Sequence, residues 1–303
     1  ETPETTETPE TTGTPETTGT PEVTETPETT GTPEATETPE TTGTPEVTET
    51  PETIGTPEMS ERTEATLRLL TFNIHHGADV DNTFNLDATI ATIRNSGANI
   101  IALQEVDRIW DSRSQYCDEA QYIAAQLGMD YVYGATLDKA PMEPGVGEYG
   151  IMILSEFPII TNQFYMLPSG LEQRGILFCT LQTPYGNLRV GCTHLGVTAV
   201  ERLTQINALL DWLPQQDDLL VMGDFNTTSD AAELQPWRDR FRDLQEQCNL
   251  GDFGTIYFSN GWKRIDYIFA GSKWMAVNCQ VLSDAPSDHW PVYLEVLVAD
   301  PVE

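Results

Sequence analysis

The chain has 303 residues and a formal charge of −33, with 15 Lys and Arg against 48 Asp and Glu. That balance argues against a basic protein that coats nucleic acid, and no run approaches the roughly 18 apolar residues of a membrane-spanning helix. The 5 Cys lack the close pairs of a zinc site or a stapled small domain, so most are expected to be buried thiols.

Residues 1–60 are ten tandem hexapeptides running from ETPETT to GTPEMS, without Lys, Arg, Cys or an aromatic residue. A Pro in each repeat blocks helix, and nothing in the segment can offset chain ordering by burial, so residues 1–62 are expected to form an extended, solvated spacer. Thr- and Pro-rich composition fits a stalk bearing O-linked sugar, and equally a plain linker. The sequence opens in mid-repeat without Met, so any signal or anchor is expected to be removed or to lie upstream. An extracellular or cell-surface location is expected, with a cytoplasmic one as the alternative. The repeats hold 15 Glu and no base, which leaves −18 on residues 61–303. Residues 63–303 show no second linker and suit one domain with a full core, expected to be monomeric.

Within that domain, LRLLTFNI opens as a strand, and LDATIATIRNSG follows as a helix with Leu86, Ile90 and Ile93 on one face and Gly97 as its stop. ANIIALQEV is a strand and SQYCDEAQYIAAQLG a helix. DYVYGAT, YGIMILS, ILFCTLQT and NLRVGCTHL are strands, the last two joined by a PYGN hairpin. Thr198 and Glu201 predict a capped helix whose apolar side carries Val200, Leu203, Ile206, Leu210 and Leu213 up to Pro214. DLLVMGDFN runs from strand into loop, and Asp230 with Glu233 predicts another capped helix. TIYFSN, RIDYIFA, VNCQVL and HWPVYLEVLV make a strand-rich last third. Two packed sheets with helices outside satisfy this pattern.

Polar residues gather where the apolar strands end: Asn73, Glu105, His194, Asp224, Asn226, Asp266, Asp288 and His289. The four His of the chain, His75, His76, His194 and His289, all lie within a residue or two of these ends. Each residue alone could be a surface group, a turn former or a satisfied core histidine, but together they predict one rim. Carboxylates, amides and imidazoles without a thiolate cluster suit Mg²⁺, or Mn²⁺, better than zinc. Glu105 and Asp288 are the expected anchors, with Asn73 beside them. Asn226-Thr227-Thr228 also fits the glycosylation pattern, a reading that would cap the rim.

TFNIHHG, LQEVD, YGIMILS, THL, GDFN, RIDYIF and SDHWP, in that order, resemble the endonuclease/exonuclease/phosphatase superfamily from about Leu67 to Val298. TFNIHHG, LQEVDR and EQRG are closest in flavour to its bacterial metal-dependent hydrolases. The resemblance implies an α+β, four-layer αββα sandwich of the DNase I-like type. It implies Mg²⁺ at Glu105 and Asp288 supported by Asn73, and water and phosphate oriented by Asp224 and Asn226. His289 would be held by Asp266, and His194 would face a phosphoryl oxygen or assist the leaving group. Where relatives often read YGNAILSR, residues 149–156 read YGIMILSE, so an Asn and a base are missing there. Arg113 and Arg174 are candidate substrate contacts, with a surface salt bridge as the alternative.

A phosphodiesterase or phosphatase acting on a small phosphoester or a lipid headgroup fits the acidic domain. A nuclease acting on nucleic acid would need basic strips, and a sphingomyelinase an apolar hairpin, for which GTIYFSNGWK is a faint candidate. A surface-display module would have lost the rim residues, and these are intact.

Overall fold

The computed structural model describes residues 66–213, 217–248, 250 and 253–298. The hexapeptides, the expected boundary at residues 62 and 63, and Pro214 lie outside the described residues. In chain order the elements are β1 (Thr66–Asn73), α1 (Leu86–Ser96), β2 (Ile100–Arg108), α2 (Glu119–Leu127), β3 (Asp130–Asp138), β4 (Glu148–Ser155), β5 (Ile159–Met166), β6 (Gly175–Thr183) and β7 (Gly186–His194). They continue as α3 (Ala199–Trp212), β8 (Leu219–Asp224), α4 (Gln235–Arg238), β9 (Arg242–Asp243), α5 (Leu244–Gln247), β10 (Ile256–Phe258), β11 (Gly261–Lys263), β12 (Asp266–Ala270), β13 (Trp274–Val281) and β14 (Val292–Val298).

Two six-stranded sheets, ordered β13-β14-β1-β2-β4-β3 and β5-β6-β7-β8-β12-β9, carry the fold, with β10 and β11 as a separate hairpin. Period-two alternation sends each strand's apolar residues to two layers at once. Leu67, Leu69, Ile100 and Ala102 of the first sheet meet Val190, Cys192, Leu220 and Met222 of the second in the central layer. Their neighbours Leu70, Phe72, Ile101 and Leu103 pack outward on Ile90 and Ile93 of α1 and Ile123 of α2. On the opposite outer face Val221 and Phe269 pack on Ile206 and Leu209 of α3 and on Trp237. The result is the αββα sandwich, and the PYGN turn closes the β6–β7 hairpin at Thr183 and Gly186.

Several local expectations are corrected. Gly97 ends α1 as expected and Asn85 caps its start, but α2 begins only at Glu119, because Asp118 caps it and Ser112–Ser114 forms a separate 3₁₀ turn. Thr198 caps α3, yet its buried face is Arg202, Gln205, Ile206 and Leu209, while Val200 and Leu203 face solvent. Arg202 can turn inward because Glu233 pairs with it at 2.6 Å, which also removes Glu233 from the expected cap. Asp230 accepts a bond from Thr228 Oγ1, and the 3₁₀ turn Ala232–Leu234 has no side-chain cap. Cys248 and Cys279 form a disulfide tying the end of α5 to β13, while Cys117, Cys179 and Cys192 are free thiols. No helix among the described residues is long and apolar enough to cross a membrane.

Candidate active site

β1 with β2, and β7 with β8, are parallel pairs, so their carboxyl ends leave each sheet at the same edge. In the second sheet the register places Gly175, His194, Asp224 and Asp266 in one row across β6, β7, β8 and β12. Asp266 starts its strand where His194 and Asp224 end theirs because β12 runs antiparallel to β8. Gly223 is required beside this row: its φ is +154°, and a Cβ there would lie 2.0 Å from Thr193 O. In the first sheet a bulge between Gln104 and Val106 sets Glu105 out of the ladder with φ 61°. Asn226 at φ 53°, His75 at 46° and His76 at 43° share this left-handed conformation, and such strain gathers at functional rims.

A continuous hydrogen-bond network joins the two sheets. Asn73 Nδ2 donates to Glu105 Oε1 (3.0 Å) and to Asp224 Oδ2 (3.2 Å). Asp224 Oδ1 accepts from the Asn226 backbone N–H at 2.7 Å. His194 Nε2 lies 3.3 Å from Asp224 Oδ2 and 3.0 Å from Asn226 Nδ2, which also donates to Leu195 O. The guanidinium of Arg174, an obligate donor, is 3.0 Å from His194 Nδ1, which assigns the neutral ring's proton to Nε2. His289 Nδ1 and Asp266 Oδ2 are 2.9 Å apart, and His289 Nε2 faces Asp224 Oδ2 at 3.8 Å. Ser287 fastens the last segment: its Oγ donates to Asn73 O and accepts the His289 N–H.

Burial and charge act against each other here. Burial alone would discharge His289, but Asp266 and Asp224 outweigh it and raise the imidazole to about 10. Burial likewise opposes ionisation of Asp224, yet His194, His289 and the Asn226 N–H hold that carboxyl well below its ordinary range. Glu105 is lowered in the same manner by His194 and the Asn73 bond against the cost of burial. Asp266 is raised by burial, with His289 pulling the other way.

Asn73, Glu105, His194, Asp224, Asn226, Asp266 and His289 are thus brought together. Asp288 stands at the edge of the group, 3.9 Å from His75 Nδ1. Arg113 is paired instead with buried Asp107, which holds its fork bidentately at 2.7 and 2.9 Å. Arg174 is neither a surface salt bridge nor a free cation, since it is buried against His194 and Glu172. The Asn226 side-chain nitrogen donates to Leu195 O, which counts against the sugar-acceptor reading. Ser287 and Thr255, whose hydroxyl accepts the Ile265 and Asp266 N–H groups, support the network without a signal in their residue type. The SDH triplet is the one local signal for Ser287.

The donor set fits a hard divalent cation. Glu105 and Asp224 converge on one Asn73 amide, and one oxygen of buried Asp266 has no partner in the protein. Asp224, Asp266 and His289 also place potential ligand atoms within 4.8 Å of one another. His289 Nδ1 is occupied by Asp266, which leaves its Nε2 as the ring atom facing the site.

Beside this network lies an open cavity of about 630 Å³, lined by Asn226, Thr228, Glu233, Phe258, Asn260 and Lys263 among others.

The sequence profile of the endonuclease/exonuclease/phosphatase family matches residues 70–289. No curated protein matches the chain significantly. Among solved structures, an endonuclease/exonuclease/phosphatase from Beutenbergia cavernae is 22% identical with a TM-score of 0.64, covering 78% of this chain and 73% of its own. A conserved protein of unknown function from Enterococcus faecalis is also 22% identical, with a TM-score of 0.62 over 77% of this chain and 100% of its own. A mannosyl-6-phosphatase from Bacteroides thetaiotaomicron is 16% identical, with a TM-score of 0.61 over 76% and 99% of the two chains. At these identities the likeness carries the fold alone.

Proposed function

Because the chain belongs to the endonuclease/exonuclease/phosphatase family, we propose that it is a Mg²⁺-dependent hydrolase of a small phosphoester, either a phosphodiesterase or a phosphatase. The observation that carries this reading is the chain of contacts from Glu105 through Asn73 to Asp224 and His194, with the Asp266–His289 pair turned toward Asp224 at 3.8 Å.

Glu105 and Asp288, with Asn73 bonded to Glu105, are the residues to hold the metal. A bound Mg²⁺ would serve as a charge sink for the phosphoryl oxygens. Asp224, kept ionised, accepts a hydrogen from the attacking water and fixes its direction, while Asn226 sits beside it on the phosphate. His289 is charged at neutral pH and points Nε2 into the site, so it donates to a phosphoryl oxygen, with Asp266 holding the ring. His194, with its proton on Nε2, is placed to bond a phosphoryl or leaving oxygen.

A charge of −18 on residues 61–303 favours a small phosphoester or headgroup over a polyanionic strand. An oxidising, extracellular setting is supported by the Cys248–Cys279 bond. Bis-p-nitrophenyl phosphate, plasmid DNA, sphingomyelin and inositol phosphates, each with Mg²⁺ and with EDTA, separate the possibilities. Hydrolysis should need the metal and fall about a thousandfold in His289→Ala, within the range of lost acid–base and electrostatic catalysis. Activity that survives EDTA or that substitution would sink the mechanism, and efficient plasmid nicking would make the protein a nuclease.

A further inference from the structure

Among the described residues the two large sheets end in β13, β3, β5 and β9, and all but β5 are guarded. β9 has only two residues. β13 is bulged between Ala276 and Asn278, gives its Ala276 N–H to Gln247 and is tied to Cys248. β3 carries Asp130 and Asp138 at its ends and a bulge between Ala135 and Leu137. β5 lacks such charges, since residues 157–171 hold no Asp, Glu, Lys, Arg or His. Its one irregularity falls between Ile159 and Thr161, which leaves the strand regular from there to Met166.

The outer edge of this strand is open. Leu167 donates its N–H to Arg174 O, and the register runs back from that pair through Tyr165 with Ile176, Gln163 with Phe178 and Thr161 with Thr180. Hydrogen-bonding direction alternates along a strand, so the odd-numbered residues face β6, while Asn162, Phe164 and Met166 turn their N–H and C=O groups outward. Phe164 fixes that orientation by laying its ring where a Cβ on Gly134 or Gly175 would fall. On the α3 side, the exposed rings of Tyr165 and Trp212 stand 5.8 Å apart beside the edge.

Charge selects what pairs there. With −18 on residues 61–303, a second copy of the chain is repelled over most of the surface and approaches at least cost along an uncharged strip. A basic partner would be drawn to the acidic faces instead. A strand edge is also self-complementary: a two-fold axis brings it against an antiparallel copy of itself, donors facing acceptors.

We propose that the chain forms a two-fold dimer by antiparallel pairing of β5 with β5 of a second copy, in place of the monomer expected from sequence. With the axis at Phe164, Asn162 of each copy lies opposite Met166 of the other, and the two sheets become continuous. β5 and β7 both run antiparallel to β6, so β5 points toward the rim as β7 does. Antiparallel pairing therefore sends the two rims in opposite directions, and each site works independently.

Sedimentation equilibrium of the full chain should return twice the chain mass of 33.6 kDa at high concentration and the single mass on dilution. Asn162→Pro removes an outward N–H and leaves the β6 ladder whole. The loss counts twice across the axis, so the dissociation constant should rise at least about tenfold. Met166→Glu should weaken the dimer too, and Asn162→Lys added to it should restore pairing, because the two positions oppose each other in this register. Amide exchange reads the same edge without a variant: in wild type, protection at Asn162, Phe164 and Met166 should rise with concentration while that at Gln163 and Tyr165 stays constant. A single-chain mass at every concentration would overturn the proposal. So would a dimer unmoved by Asn162→Pro and Met166→Glu, or exchange at the three outward amides that does not depend on concentration.

Discussion

Arg174 shows how much of the site depends on a residue that need not touch substrate. By donating to His194 Nδ1 it leaves the ring only one way to carry its proton in the neutral form, toward Asp224. Arg174→Met should therefore lower kcat roughly tenfold to a hundredfold with a smaller change in KM, the usual cost of losing the outer partner of a working histidine. Steady-state kinetics decide this. His289 gives a prediction in pH. Its folded value is raised from 6.5 to about 10, so its contribution to stability is full below 6.5 and is lost as pH rises toward 10. Wild type should lose melting temperature over that window, and an Asp266→Asn/His289→Gln double variant should lose distinctly less. Residue type and place at a strand end were enough to nominate Asn73, Asp224 and His289. The partner that locks His194 was not legible as such, because Arg174 reaches it only through the pairing of β6 with β7, and an arginine in isolation reads as a surface charge.

At the level of elements, apolar periodicity marked most of the strands because they are covered on both sides. It missed β5, whose ITNQFYM segment lies at a sheet edge and alternates weakly, with Asn162 and Gln163 exposed. It misjudged the face of α3 for the converse reason, since Arg202 and Gln205 are buried by partners elsewhere in the chain. Glycine at 223 is an element-level requirement, as a methyl group there cannot coexist with the β7 carbonyl beside it. Gly223→Ala should cost more than about 2 kcal/mol, measured by urea denaturation, and disturb activity as well, since Asp224 is next in the strand. The disulfide closes a separation of 31 residues, which includes the hairpin. Replacing both cysteines by serine should remove roughly 3–4 kcal/mol on the chain-entropy estimate, read from the same titration.

For the molecule as a whole, the division of labour between repeats and domain is itself testable. The hexapeptides bring no group suited to the chemistry, so a chain beginning at residue 63 should keep kcat/KM and melting temperature within error of the full chain. The acidity of the domain should keep DNA affinity weak and lost at moderate salt, which a binding titration would show.

The row formed by His194, Asp224 and Asp266 also sets a rule for which changes in length the protein can absorb. Backbone pairing spaces these residues by one strand each, and side chains alternate faces along a strand, so deleting one residue within β7 would turn His194 away from its neighbours. Extra residues placed beyond the row, in the connections over the rim, leave the spacing untouched. The ladder therefore behaves as a ruler whose marks are fixed while the loops above it are free to diverge. A scan of single insertions and deletions should find activity intolerant along the strands and forgiving a few residues past them, the condition under which one chemistry can be kept while its substrate changes.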